Sequence, residues 1–72
     1  MAKAGSVQFL KRVGLRIKEL RKERGITQEA FYNDTGVHIG RIETGKRDFS
    51  MSTLNQICKY LNVEPADFFD LK

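Results

Sequence analysis

Two apolar stripes of helical period, one near each end of the chain, restrict what it can fold into more than any other feature. Leu10, Val13, Ile17 and Leu20 recur at spacings of three and four residues, as do Leu54, Ile57, Cys58 and Leu61. Each set lies along one side of a helix and needs another element to cover it. Nowhere do apolar and polar residues alternate as in a half-buried strand, so the pattern predicts an all-α fold. The chain has 72 residues, enough for one core and too few for a second.

Between the stripes the punctuation is dense. Residues 1–6 lack periodicity and read as a flexible N-terminal arm, leaving residues 7–72 as the single domain. Gly25 ends the first helix. Gly14, inside it, costs about 1 kcal/mol relative to alanine, which a close packing contact would offset. Thr27 is a good N-cap for a second helix, with Glu29 in its first turn. Asn33 and Asp34 favour a turn, and Thr35 then caps a third helix with Val37, Ile39 and Ile42 on its apolar side and Gly45 as its stop. In this register the second helix is short, and Phe31 and Tyr32 fill the space beside it. The alternative register keeps Gly36 as the turn glycine and shortens the third helix, leaving His38 to Arg41 for contacts outward. Ser50 caps a fourth helix, and Glu64 and Pro65 open a short fifth one to which Phe68, Phe69 and Leu71 supply bulky apolar cover. The expectation is a compact five-helix domain.

Charge is distributed unevenly. The net charge is +4, yet residues 1–26 hold eight Lys or Arg against Glu19 and Glu23, whereas five basic residues face seven acids in the remainder. Such polarity suits a face turned toward phosphates, or an ordinary solvated helix face. A single cysteine and a single histidine exclude an internal disulfide and make a poor start for a metal site. Cys58 falls on an apolar stripe and reads as packing. No paired acids, phosphate-cradling glycine loop or second histidine points to catalysis, so neither an enzyme nor a cofactor is expected. No apolar run suffices for a membrane span or a signal peptide, and a cytoplasmic protein is expected.

Several blocks occur together and in order: R-I-K-E-L-R-K-E-R-G-I-T-Q-E from Arg16, G-R-I-E-T-G-K-R from Gly40, S-M-S-T-L from Ser50 and L-N-V-E-P-A-D-F-F from Leu61. Together they make the chain resemble the lambda-repressor-like (XRE, Cro/CI-type) helix-turn-helix family. The segment between Gln28 and Glu43 is shorter than the family pattern by close to one turn of about 3.6 residues. A helix-turn-helix sets the start of its second helix in the major groove of double-stranded DNA, where all four base pairs are distinguishable. The matching groove surface here would be Thr35, Gly36, Val37, His38 and Arg41. Arg41 suits a bidentate contact to guanine, His38 a base edge, and Val37 either a thymine methyl or the core. Thr27 and Gln28, at a helix N-terminus, would meet a phosphate, as the family glutamine does. Lys46 and Arg47 follow on the backbone side, or are plain surface charge. Arg21 and Glu43 match a family ion pair that orients the reading helix. The resemblance implies a transcriptional regulator, most often a repressor, binding a palindromic operator as a homodimer with half-sites about 34 Å apart. The competing expectation is a protein-interaction module, such as a toxin-neutralising partner. Phe68, Phe69 and Leu71 would serve it or a dimer, or simply close the core.

Overall fold

A computed structural model describes residues 2–68, with side-chain surroundings for residues 8–66, and all regular structure among the described residues is helical. Helix α1 spans Ala2–Glu23, α2 Gln28–Thr35, α3 Ile39–Glu43 and α4 Met51–Leu61, and a single turn, α5, covers Pro65–Phe68. The architecture is therefore four helices and one closing turn. Helix α1 runs through residues 2–6, which the sequence reading assigns to an arm. Ala2, Lys3 and Ala4 are strong helix formers, and Gly5 alone is not enough to stop the helix.

The ends are specified by local chemistry. Beyond α1, Gly25 takes a positive φ of 66°. Its N–H bonds the Lys22 carbonyl at 3.1 Å while that of Ile26 reaches back to Arg21, also at 3.1 Å. This paired 5→2 and 6→1 closure satisfies carbonyls that the helix leaves open. Helix α4 ends the same way around Asn62, whose φ is 59°. Thr27 and Ser50 accept the N–H groups of Ala30 and Thr53 at 3.0 and 3.1 Å, so both N-caps form.

The two apolar stripes meet in one core. Ile17, Phe31, Ile57 and Leu61 are completely buried, joined by Val13, Leu20, Ile39, Ile42, Leu54 and Cys58. Leu10 is only half-buried. Phe31 packs edge-on against Tyr60, with ring centroids 4.7 Å apart. Burial first, then the nearby charge of Glu64, raises the pKa of the Cys58 thiol above its ordinary value. At the far corner the Arg24 guanidinium donates to the Leu61 carbonyl at 2.5 Å, tying the end of α1 to the end of α4.

Helix α1 crosses the end of α3 at Gly14. A Cβ there would lie 2.5 Å from the Glu43 carbonyl oxygen and 2.6 Å from that of Ile42. Only a glycine lets the two backbones approach this closely, which is why the residue stands in mid-helix.

The register between α2 and α3 corrects the expected one. Asn33 and Asp34 do not turn; α2 continues through them to Thr35, and Gly36 is the C-cap at φ 77°, its N–H bonded to the Tyr32 carbonyl. The Thr35 hydroxyl donates to the Phe31 carbonyl at 2.7 Å and accepts from Val37 N–H at 3.1 Å, so it closes α2 and does not cap α3. The shortening falls on α3, which has 5 residues and His38 at its N-cap without a side-chain cap bond. Tyr32, expected to fill space, is 44% exposed. Two long-range contacts decide the matter: Phe31 is locked in the core, and the Asp34 carboxylate accepts a hydrogen bond from the Tyr60 hydroxyl on α4. An αL residue is cheapest at glycine, so the turn settles at Gly36.

Candidate nucleic-acid interface

Helix α3 has two distinct sides. Ile39 and Ile42 enter the core, and Glu43 points inward with them. Arg41 is exposed, as is His38 just before the helix.

The inward side is fastened by charge. The Arg21 Nε donates to Glu43 Oε2 at 2.6 Å and its Nη2 to Oε1 at 3.1 Å, while Nη1 reaches the Ile26 carbonyl at 2.8 Å. Both residues are only 7% exposed. Gln28 adds a further bond, its Nε2 donating to Glu43 Oε1 at 3.0 Å. Gly40 makes room for that amide, since a Cβ there would stand 3.0 Å from Gln28 Oε1. Helix α3 is thus held by both α1 and the first residue of α2. A buried bidentate pair in which every buried nitrogen and oxygen among the described residues finds a partner is geometrically specific.

The outward side is open. The His38 ring stacks on Tyr32, with centroids 4.4 Å apart and planes at 29°. Arg41 has no ion-pair partner among the described residues. Concavities flank these two residues on either side. One, of about 430 Å³, is lined by Gly36, Val37, His38, Arg41 and Arg47, with Thr53 and Gln56 from α4. The other, also about 430 Å³, is lined by Gln28, Tyr32, His38, Gly40, Arg41 and Thr44. Gln56 also donates to the Thr35 carbonyl at 3.3 Å, bracing the first of these.

The residues singled out from sequence fall in different places. His38 and Arg41 stand at the centre, and Gln28 borders them. Gly36 and Val37 belong to the turn, with Val37 half-buried against the core. Thr35 is half-buried at the end of α2. Thr27 is exposed with its hydroxyl engaged as a cap. Lys46 and Arg47 are exposed beyond α3, and Arg47 borders the first concavity. Phe68 lies in the last turn, and its side chain, like Phe69 and Leu71, lies outside the described residues. Sequence reasoning missed Tyr32, Thr44, Thr53 and Gln56. Tyr32 was findable, because it follows Gln28 by one helical turn and shares its face. The two α4 residues offered no local signal.

Among the described residues, no cluster of three metal-ligating side chains occurs, and no helix is long and apolar enough to cross a membrane.

A family model described as helix-turn-helix matches residues 17–68, most of the chain. Comparison with curated proteins finds no significant match.

Proposed function

The chain belongs to the lambda-repressor-like helix-turn-helix family, a family of DNA-binding regulators, and from that premise we propose that it is a sequence-specific repressor. Arg41 and His38 are its base-reading residues. The observation that carries this reading is the exposed, unpaired Arg41 beside a ring-stacked His38, on a helix whose other side is fastened to α1 and α2. A guanidinium free of partners among the described residues suits the O6 and N7 acceptors of guanine. The stack on Tyr32 limits how the imidazole turns, so that it meets a base edge in one orientation.

In this reading Gln28 and Thr27 meet the phosphate backbone at the start of α2, and Arg47 and Lys46 meet it beyond α3. The reading element is a turn and a five-residue helix, so few side chains reach bases. Val37 contributes to the core more than to the groove. The protein works as a homodimer on a palindromic operator, with half-sites about one DNA turn, roughly 34 Å, apart.

Selection of bound sites from random duplexes tests the proposal. A short palindrome containing guanine in each half-site is the expected outcome. An asymmetric site would remove the dimer, and absence of binding to any duplex at low salt would remove DNA reading altogether.

A further inference from the structure

We infer that α1 carries a second phosphate-binding row, formed by Lys11 and Lys18, so that the DNA backbone is gripped on both sides of α3. This inference rests on the DNA-binding reading above and extends it to a helix outside the helix-turn-helix.

Three observations converge on it. Lys11 and Lys18 line a concavity of about 360 Å³ that closes on Gln28, Gly40 and Thr44. Those last three residues also line the concavity holding His38 and Arg41, so one surface runs without interruption from the reading residues to α1. On the opposite side of α3 the surface bears Arg47 beside Asp48, with Arg41 lining the same concavity. A helix in the major groove has a phosphate strand on either side, and this arrangement offers cations to both.

The second observation is how the cations of α1 and its end divide. Arg16, Arg21 and Arg24 each lie within ion-pair distance of a carboxylate, at 3.5, 2.6 and 3.6 Å. Lys11, Arg12, Lys18 and Lys22 are exposed and make no ion pair among the described residues, and of these Lys11 and Lys18 line the concavity beside α3. Glu43, the one carboxylate lining their concavity, has both oxygens occupied by Arg21, and one also by Gln28. Nothing acidic in that cleft therefore competes with a phosphate for the lysines.

Third, the position of α1 is rigid. Besides the contact at Gly14, a Cβ on Gly45 would lie 2.9 Å from the Cα of Lys11, so the helix backbone is seated against the end of α3 on both counts. Lys11 and Lys18 are two turns apart on one face, about 10 Å along the axis at 1.5 Å per residue, which assigns them different phosphates. Lysine suits this task as a flexible point charge that follows the backbone without reading sequence.

Fluorescence anisotropy on a random-sequence duplex, titrated with salt, separates the outcomes. The double variant K11Q/K18Q is expected to lower the slope of log affinity against log salt by about 1.8, since each phosphate contact contributes about 0.9. K11R/K18R should restore the wild-type slope, and K59Q, which removes an exposed charge from α4, should leave it unchanged. Melting temperatures of all variants should match the wild type. A wild-type slope in K11Q/K18Q, or an equal drop in K59Q, overturns the α1 row while leaving DNA binding intact. Failure of the wild-type protein to bind any duplex at low salt overturns both.

Discussion

Arg21 and Arg41 belong to opposite sides of the same short helix, the first gripping it from α1 and the second projecting from it. Arg21 is nearly buried, and its guanidinium is consumed by Glu43 and the Ile26 carbonyl. Arg41 is exposed and finds no charge partner among the described residues. One residue type thus serves two ends according to what surrounds it. A satisfied charge holds the helix in place, and in the proposed function the unsatisfied one meets DNA. The five residues of α3 are too few to be stable alone, so the precision of the outward side depends on the fastening of the inward one.

Removing Glu43 breaks that comparison most severely. Glu43→Ala leaves Arg21 buried without its carboxylate and Gln28 without its acceptor, a loss of about 3 to 5 kcal/mol by urea unfolding. The double replacement of Arg21 by Met and Glu43 by Leu should recover most of that loss, because apolar groups of similar volume fill the site without an uncompensated charge. Recovery of stability with DNA binding still impaired would separate anchoring from mere burial. Next in size is Gly14→Ala, which improves helix propensity by about 1 kcal/mol yet drives a methyl into α3 backbone. The clash is with carbonyl oxygens, which cannot rotate away, so a net destabilisation of about 1 kcal/mol or more is expected in the same assay.

How much of this division the residues alone disclose differs by region. Core stripes, both N-caps and the Gly25 stop are local, repeating or chemically distinctive, and they read directly. The Arg21 and Glu43 pairing came only through the family resemblance, since 22 positions separate them and no periodicity links them. The α2 to α3 boundary misled for a physical reason. Asn33, Asp34 and Thr35 have turn and cap chemistry, but the last turn of a helix tolerates the same residues. What keeps them helical is the Tyr60 bond to Asp34 from across the domain and the burial of Phe31. Tyr32 was misjudged with that register, and with it the stack that braces His38.

A smaller effect probes the Tyr60 link. Its hydrogen bond to the Asp34 carboxylate, then burial and the charge of Asp34, raise the pKa of the phenol above its ordinary value. A group raised on folding contributes stability that is intact below its unfolded pKa and lost as pH climbs past it, which for tyrosine means above about pH 10. Stability should hold across neutral pH and decline in the alkaline range, and Tyr60→Phe should shallow that decline. Urea midpoints measured from neutral to alkaline pH check it, and identical alkaline curves for the two proteins would dismiss the link.

The central claim, that α3 is anchored by one arginine and reads DNA with the other, is tested most directly by Arg41→Ala on two duplexes. One carries the selected site and the other a scrambled version, with thermal unfolding followed in parallel. The account predicts a loss of about 1 to 3 kcal/mol, roughly 5- to 150-fold, on the selected site, with scrambled DNA much less affected and stability within about 0.5 kcal/mol of wild type. An equal loss on both duplexes, or none on either, would contradict it.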